Sequence, residues 1–271
     1  MLQDLFATTK PVIGVVHLLP LPGSHRFGGD MEAVFERAEQ EAAALASGGV
    51  HGIIVENFFD APFVKNRVDT ATACALALVV KRVQGVSDLP VGVNVLRNDG
   101  HSALAIAATS GAQFIRVNVY TGAMLTDQGI IEGEAHQLLN YRRLLGAEHR
   151  IRILADVMVK HASPLTPFAD IRMMAKDTVH RGMADGVIVS GTGTGSAPEM
   201  DDVEAVREAI PTTPIFIGSG ASNENAAKLL GTADGVIVAS SLKRQGKLEN
   251  PVDVDRVRTF VNLAKGAAQK A

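Results

Sequence analysis

The sequence predicts a single (β/α)8 barrel, in which eight parallel strands alternate with eight helices, and three observations lead to this fold. A glycine-led segment recurs at 48–56, 182–190 and 231–239, each time as a helix-ending glycine, a turn and a buried β-branched strand. Eight apolar runs alternate with helical stretches along the chain. The length of 271 residues is also close to the roughly 250 that one such barrel requires.

The individual elements follow from these alternating patterns. The predicted strands cover residues 12–17, 53–57, 91–95, 114–119, 151–157, 187–190, 214–218 and 236–239. The predicted helices cover residues 31–47, 70–85, 101–110, 134–146, 168–181, 200–209, 222–230 and 253–269. An open doubly wound sheet is the alternative, but eight regular units leave no obvious edge strand. We expect one domain over residues 1–271, with residues 1–10 as a short lead segment.

Composition excludes several classes of protein. The net charge of −3 and the absence of tryptophan argue against nucleic-acid binding, which favours a basic face and stacking aromatic side chains. The sequence lacks a long apolar run, so it predicts no transmembrane segment and no signal peptide. The single cysteine, Cys74, cannot form an internal disulfide, and its apolar surroundings predict that it is buried. We expect a cytoplasmic protein.

Loop lengths indicate which end of the barrel carries the function. Links from helix to strand are short, whereas three links from strand to helix are long: 18–30, 58–69 and 120–133. Long loops inside a compact domain commonly bind ligands or cover a site. All three follow the C-terminal ends of strands, which is where barrels of this class place their active sites.

Strand four predicts a polar cluster inside that end of the barrel. Its period of two places Arg116 and Asn118 on one face and aliphatic side chains on the other. The aliphatic face is expected to pack on helices, so Arg116 and Asn118 point inward. A buried guanidinium requires a carboxylate or an anionic ligand, and Glu56 and Asp156 stand at strand ends. A purely structural Arg–carboxylate brace remains the alternative.

Candidate catalytic residues lie at the other strand ends. Asp156 is the predicted acid/base group, and Lys160 is expected to steady negative charge. A Schiff-base role for Lys160 is less favoured, because Lys160 lies past the predicted strand. His17 could instead only donate a hydrogen bond to a carbonyl, and Asn94 could only fill the lumen. The full candidate catalytic set is His17, Glu56, Asn94, Arg116, Asn118, Asp156 and Lys160.

Loops rich in glycine, serine and threonine predict a phosphate site. Their backbone amides are free of side-chain obstruction, and barrels commonly bind phosphate after strands seven and eight. The candidate phosphate-binding residues are Gly191, Thr192, Thr194, Gly218, Ser219, Gly220, Ala221, Ser240 and Ser241. No cofactor is predicted. A divalent metal on Glu56, Asp156 and His17 is a less favoured alternative, because no pair has metal-motif spacing.

Several long segments of this chain resemble the sequences of the BtpA/SgcQ family. They include 14–24, 55–63, 94–99, 116–118, 126–133, 155–161 and 189–195. The resemblance implies a ribulose-phosphate-binding type of barrel. Family members carry labels from two different classes: photosystem I biogenesis, and a nucleosidase in a sugar-utilisation cluster. Phe59 stands where many members have glycine, which implies a differently shaped second long loop.

Together these observations predict a metabolic enzyme for a phosphorylated sugar or a nucleoside-like substrate. The chemistry would be glycosidic cleavage, or isomerase, epimerase or lyase chemistry, performed by acid/base groups. The alternative is a biogenesis factor that assembles a membrane photosystem complex without turnover. We expect a homo-oligomer with an open pocket, lined by Arg116, Asn118, Asp156 and Lys160 and reaching the Ser219 and Ser240 loops.

Overall fold

A computed structural model describes residues 2–166 and 169–268, and these residues form eleven strands. In chain order the strands are β1 (Val12–His17), β2 (Gly52–Glu56), β3 (Val91–Asn94), β4 (Phe114–Val117), β5 (Ala123–Thr126), β6 (Gly129–Glu132), β7 (Arg152–Val157), β8 (Ala162–Pro164), β9 (Gly186–Val189), β10 (Ile215–Ile217) and β11 (Gly235–Val238).

Eight of these strands close into one parallel barrel. The order around the barrel is β1, β2, β3, β4, β7, β9, β10 and β11, and β11 pairs with β1 through Val12 and Val236. Closure leaves no barrel edge exposed for pairing with another chain. The predicted (β/α)8 barrel is therefore confirmed.

Helices alternate with the barrel strands, and one further helix precedes β1. They are α1 (Leu2–Phe6), α2 (Met31–Gly48), α3 (Thr70–Gln84), α4 (Gly100–Ser110), α5 (Ala135–Leu144), α6 (Ile171–Lys176), α7 (Met200–Ala209), α8 (Ala226–Thr232) and α9 (Val254–Ala268). Asp30, Asp69 and Asp99 precede α2, α3 and α4, and each accepts a hydrogen bond from a first-turn amide. These side chains satisfy amides that have no partner within the helix.

Some boundaries differ from the predicted ones. Strand four ends at Val117, because the amide of Val119 donates to the side chain of Asn98 (2.7 Å) instead of a neighbouring strand. Helix α8 begins at Ala226 rather than at 222, because the Asn225 side chain accepts from the amide of Ser222 and forms a turn. The π-helical turn Asp177–Arg181 extends α6. Positions 168 and 269 of the predicted helices lie outside the described residues.

Side chains inside the barrel change from apolar to polar along each strand. Ile54 precedes Glu56, Phe114 precedes Arg116, and Leu154 precedes Asp156, with period two in every case. The apolar layer fills the N-terminal half of the barrel, and the ionisable layer lies at the C-terminal half. The strand sequences alone therefore concentrate charge at one mouth.

The lead segment closes the opposite mouth. Helix α1 places Phe6 against the inward aromatic side chains Phe114 and Phe216, with ring centroids 5.6 and 6.3 Å apart respectively. Gly52 lies beneath it, where an added Cβ would come within 2.7 Å of the Phe6 ring. Phe6 therefore extends the apolar layer out of the barrel.

A second, three-stranded sheet occupies a region predicted to be loop. Strands β5 and β6 form a hairpin within 120–133, and β8 pairs with β5. One face of this sheet buries Met124 and Ile131, while the cross-strand pair Leu125 and Ile130 is exposed. The sheet lies at the C-terminal end of the barrel, because β5 and β6 follow β4 and β8 follows β7.

The prediction that Cys74 is buried is wrong. Cys74 lies on α3 and is exposed, although its neighbours Ala75 and Leu76 are buried. The apolar run from 71 to 80 continues around α3 to its solvent side, where Leu78 is also exposed.

Among the described residues, no helix is both long and apolar enough to span a bilayer.

Candidate functional site

An arginine inside the C-terminal mouth is held between two carboxylates. The Nε and Nη2 atoms of Arg116 each lie 2.8 Å from an oxygen of Asp156, in a bidentate pair. The Nη1 atom lies 3.6 Å from Oε1 of Glu56. All three side chains are buried, and the two carboxylates together exceed the single guanidinium charge. Burial alone would lower the pKa of Arg116, but Asp156 and then Glu56 raise it above its ordinary value.

Asp156 is surrounded by hydrogen-bond donors. Besides the two contacts from Arg116, Asn118 Nδ2 lies 3.1 Å from Oδ2 and Ser190 Oγ lies 3.2 Å from Oδ1. Four donors for two oxygens leave little capacity for a further partner. Asp156 therefore fixes the guanidinium plane of Arg116 and is poorly placed to exchange a proton with a substrate.

Glu56 is the less constrained carboxylate. Its Oε1 atom makes no hydrogen bond, and its Oε2 atom lies 3.6 Å from Nε2 of His17. Burial alone would raise the pKa of Glu56, but contact with His17 and the positive charges of Arg116 and Lys160 lower it to about 2. Glu56 is therefore an anion at neutral pH.

His17 ends β1 beside this anion. Its ring stacks on Phe58 with centroids 4.3 Å apart, and its Nδ1 atom has no hydrogen-bond partner in the part of the chain that the structure describes. Burial lowers the pKa of His17, although Glu56 acts in the opposite direction. A neutral imidazole can donate from Nε2 to Glu56 and accept at Nδ1.

Two asparagines complete the polar layer. Asn94 Nδ2 donates to the carbonyl of Arg116 (3.1 Å) and to Oδ1 of Asn118 (3.2 Å). The Oδ1 atom of Asn94 has no donor within the described residues. A buried acceptor without a partner is costly, so this oxygen is suited to a hydroxyl group of a ligand.

Lys160 lies three residues beyond β7 and projects over the same layer. Its backbone carbonyl accepts a hydrogen bond of 2.7 Å from Nη2 of Arg97. Its Nζ atom has neither a hydrogen bond nor an ion pair within residues 2–166 and 169–268. Burial and the charge of Arg116 lower the pKa of Lys160, while Glu56 and Asp156 act in the opposite direction.

A cavity of about 500 Å³ lies above this layer. Five of the predicted catalytic residues line it: Glu56, Asn94, Arg116, Asn118 and Lys160. Asp156 lies behind Arg116 and does not line the cavity, contrary to the expected pocket. The opposite wall is apolar and contains Phe58, Phe59 and Phe63. We call this cavity the aromatic chamber.

A smaller cavity of about 30 Å³ adjoins the chamber and shares Glu56, Arg116, Lys160 and Thr194 with it. His17 and the glycine-rich loops complete its wall. Of the predicted phosphate-binding residues, it is lined by Thr194, Gly218, Ser219, Gly220, Ala221 and Ser240. We call it the amide pocket, because the amides of 219–221 and 240 have no acceptor among the described residues.

Three predicted phosphate-binding residues lie outside the amide pocket. The amide of Gly191 donates to Ser219 Oγ (3.0 Å), and Ser241 Oγ donates to the carbonyl of Ala221 (2.6 Å). Both stabilise the loops that form the pocket. Thr192 is exposed, and its carbonyl accepts from the amide of His161.

Metal-ligating side chains are dispersed in this site. Among the described residues, no group of three or more His, Cys, Asp and Glu side chains is arranged to hold a metal ion. Of the set considered from the sequence, Glu56 and His17 are neighbours, whereas both oxygens of Asp156 are held by Arg116.

Comparison with known proteins adds to this geometry. A family model described as the BtpA family matches residues 8–266. The chain belongs to the BtpA family. It is 58% identical over 271 residues to a Synechocystis protein named photosystem I biogenesis protein BtpA, with 99% of this chain and 93% of that protein covered. It is 46% identical to an uncharacterized protein of Thermococcus kodakarensis, with 97% of this chain and 98% of that protein covered.

Solved structures extend the likeness at the level of the fold. The (S)-3-O-geranylgeranylglyceryl phosphate synthase of Thermoplasma acidophilum, solved with its substrate sn-glycerol-1-phosphate, superimposes with a TM-score of 0.60. The two chains are 15% identical, and the match covers 98% of this chain and 97% of that one. At this identity the likeness shows a shared barrel fold.

Several cavity residues of this BtpA-family chain were not predicted from the sequence. Arg97 follows β3, is buried and lines the aromatic chamber, and burial lowers its pKa. A charged residue two positions beyond the predicted strand 91–95 was the available signal. Arg26, Asp127 and Glu249 come from loops whose sequences gave no such signal.

Proposed function

We propose that this BtpA-family chain is an enzyme that acts on a phosphorylated sugar or a nucleoside-like substrate at the C-terminal mouth of its barrel. One observation carries the proposal: the aromatic chamber and the amide pocket meet at Glu56, Arg116, Lys160 and Thr194. A ligand with a phosphate at one end and an apolar or planar group at the other would place its sugar carbons at these ionisable side chains.

The amide pocket supports the phosphate end of this assignment. Backbone amides without acceptors bind anions well, and residues 219–221 and 240, whose amides have no acceptor among the described residues, line one small cavity. A volume of about 30 Å³ accommodates only one or two water-sized groups. Thr194 and Gly195 form part of its wall, so we expect the 191–197 loop to move outward when a phosphate enters.

The polar layer supports acid/base chemistry on the sugar. Glu56 is anionic, lines the chamber and has an Oε1 atom that accepts no hydrogen bond, so it is our candidate for receiving a proton or stabilising a developing cation. Arg116 would bind negative charge, with Asp156 holding it in position. Asn94 and Asn118 would orient hydroxyl groups. This arrangement shifts the proton-transfer role that the sequence suggested for Asp156 to Glu56.

Glycosidic cleavage and isomerase, epimerase or lyase chemistry both remain within this proposal. In the first, the buried anion would stabilise an oxocarbenium-like transition state. In the second, it would move a proton beside a carbonyl.

Ligand binding is the first test. Isothermal titration with inorganic phosphate, ribose 5-phosphate and dihydroxyacetone phosphate should show saturable binding of a sugar phosphate that Gly220→Asp abolishes. The same compounds and a panel of nucleosides should then be screened for turnover, with Glu56→Gln as the inactive control. No binding at millimolar concentration, or binding unchanged in Gly220→Asp, would remove the amide pocket from the proposal.

The alternative function is that of a biogenesis protein, as the name of the Synechocystis relative says of that protein. One structural observation favours it: Leu125 and Ile130 form an exposed apolar pair on the second sheet, where a partner could dock. One observation favours the enzyme: the mouth holds an open cavity whose wall includes the ionisable side chains Glu56, Arg116 and Lys160.

Substitutions at Glu56 and at Leu125 distinguish a catalytic role from an assembly role. Ligand binding and turnover should depend on Glu56 and be unaffected by Leu125→Ser. An assembly role should show the reverse dependence in a complex-formation assay.

A further inference from the structure

Lys243, which is buried, and Lys160, which is half-buried, have opposite environments. Lys243 Nζ lies 2.6 Å from both oxygens of Glu41, which is a complete ion pair. Lys160 Nζ has no hydrogen-bond acceptor and no carboxylate within ion-pair distance among the described residues, although it projects into the polar mouth. The ion pair with Glu41 neutralises the charge of Lys243 in the interior. The Nζ atom of Lys160 has no such partner and faces a cavity that a ligand can enter.

We propose that Lys160 is a covalent nucleophile that condenses with the carbonyl carbon of an open-chain sugar phosphate to form an imine. This inference rests on the proposed function, because it assumes that a sugar phosphate binds at the mouth. It narrows the substrate to the open-chain carbonyl form and the reaction to one that proceeds through a protonated imine.

The position of Lys160 supports this role. Lys160 is one of four residues that line both the aromatic chamber and the amide pocket. A phosphate held by the amides of 219–221 would therefore leave the carbon chain of the ligand near Nζ. Lys160 lies beyond β7 rather than within it, which counted against this role in the sequence, yet the turn after β7 returns the side chain over the mouth.

The charge environment favours the reactive, neutral form of the amine. Burial and the neighbouring guanidinium of Arg116 lower the pKa of Lys160, and Arg97 contributes in the same direction. Glu56 and Asp156 oppose this effect, but Asp156 is already paired with Arg116. Each unit by which the pKa falls increases the neutral fraction at a given pH about tenfold.

The condensation balances without an additional reagent. The lone pair of the neutral Nζ attacks the carbonyl carbon, and the π electrons of the C=O bond move to oxygen. A proton then passes from nitrogen to oxygen to give a carbinolamine. The hydroxyl group leaves as water after it takes one proton from solvent, and the nitrogen lone pair forms the C=N bond. The product is a protonated imine and one molecule of water.

The anion beside Lys160 suits the product of this step. A protonated imine is a cation, whereas the neutral amine that forms it is not. Glu56 is ionised and shares a wall of the amide pocket with Lys160, and its Oε1 atom, 3.6 Å from Arg116 Nη1, accepts no hydrogen bond. A fixed anion at that place stabilises the charge that develops during condensation.

Reductive trapping tests the inference. The full-length protein is incubated with dihydroxyacetone phosphate, ribose 5-phosphate or pyridoxal 5′-phosphate, reduced with borohydride, digested and mapped by mass spectrometry. Each of these compounds combines a phosphate with a carbonyl group, and borohydride adds hydride to the C=N bond. The peptide containing Lys160 should gain the mass of the compound less one oxygen atom.

Internal controls come from the same digest. Lys243 is buried and paired, and Lys228 is exposed on α8 away from the mouth, so both should be labelled more slowly than Lys160. Lys160→Arg keeps the positive charge but cannot form an imine, and it should lose the adduct while still showing phosphate-dependent thermal stabilisation. Labelling of the wild-type chain does not depend on the folding of any variant.

The outcomes separate the two hypotheses. Preferential labelling of Lys160 supports the imine. If dihydroxyacetone phosphate or ribose 5-phosphate raises the melting temperature but Lys160 is labelled no faster than Lys228, the imine is excluded and the proposed function stands. If no sugar phosphate binds and Lys160 is not labelled, both are overturned.

Discussion

The guanidinium of Arg116 and the carboxylate of Asp156 form a bidentate pair in which both N–O distances are 2.8 Å. The pair is buried and stands at the centre of the polar layer. Removing one member of a buried pair leaves the other charge without compensation, which commonly costs about 3–5 kcal/mol. This layer is therefore a structural element as well as the candidate site.

Asp156→Asn should accordingly lower the free energy of unfolding by about 3–5 kcal/mol. Urea denaturation measures this loss. Asp185→Asn is the matched control, because Asp185 pairs with Arg142 (2.7 Å) near the opposite end of the barrel and is more exposed. The control should lose about 1–2 kcal/mol and keep the binding of sugar phosphates unchanged. Equal losses in the two variants would contradict a central role for the Arg116 pair.

The lowered pKa of Glu56 predicts a specific dependence on acid. A carboxylate whose pKa is lowered by folding stabilises the protein fully above its unfolded value and loses that effect as the pH falls through its folded value. For Glu56 the window runs from 4.5 down to about 2. Across it the wild type should lose about 3 kcal/mol more than Glu56→Gln does. The exposed Glu148→Gln is the control and should follow the wild type in urea denaturation at each pH.

Gly220 should be intolerant of any side chain. Its φ is +69°, and an added Cβ would lie 2.0 Å from the amide nitrogen of Ala197. Gly246 has the same φ of +69° but no atom within 4 Å of the added Cβ. Gly246→Ala should therefore cost about 1 kcal/mol from backbone strain alone, and Gly220→Ala a further ~1–3 kcal/mol from the clash. Thermal denaturation compares the two, and a titration with ribose 5-phosphate should detect weaker binding in Gly220→Ala alone.

The same substitution at Lys243 and at Lys160 should have opposite effects on stability. Lys243→Met leaves Glu41 with only its contact to Arg37 (2.8 Å) and should lower the free energy of unfolding by about 3 kcal/mol. Lys160→Met removes an unpaired, half-buried cation and should raise the free energy of unfolding by about 1 kcal/mol.

The stabilisation expected for Lys160→Met also depends on pH. Because folding lowers the pKa of Lys160, the unfolded chain binds more protons between the lowered value and 10.5. The wild type therefore gains stability as the pH rises through that interval, and the advantage of Lys160→Met should shrink. Guanidinium denaturation from pH 7 to pH 10 measures this change. A constant difference would contradict the lowered pKa.

Much of the barrel was predictable because short stretches of sequence are sufficient to identify its strands and helices. The alternation of polar and apolar residues in β4 predicted that Arg116 points into the barrel. The positions of Glu56 and Asp156 at strand ends predicted that both lie at the C-terminal end of the barrel. The functional state of Asp156 was not predictable in the same way. One of the hydrogen bonds that Asp156 accepts comes from Ser190 Oγ. Ser190 belongs to another strand-to-helix connection and contacts Asp156 only after the barrel closes.

The second sheet escaped prediction for a similar reason. Strand β5 is completed by β8, where Leu125 pairs with Ser163, far along the chain. Three or four residues of local alternation are too few to distinguish a strand from a loop without that pairing. The aromatic wall was missed because Phe58 and Phe59 lie in a 3₁₀ turn, which has no sequence period of its own.

The helix that closes the base of the barrel has a consequence for how the chain is made. Phe6 leaves the ribosome early, but its ring partner Phe216 is synthesised only after most of the chain has emerged. At a synthesis rate of 5–20 residues per second, the interval between them is roughly 10–40 s. Throughout that interval Phe6, at the apolar end of α1, has no closed barrel to pack against. We expect nascent chains of this protein to expose Phe6 to holdase chaperones and to bury it only when the last strands close.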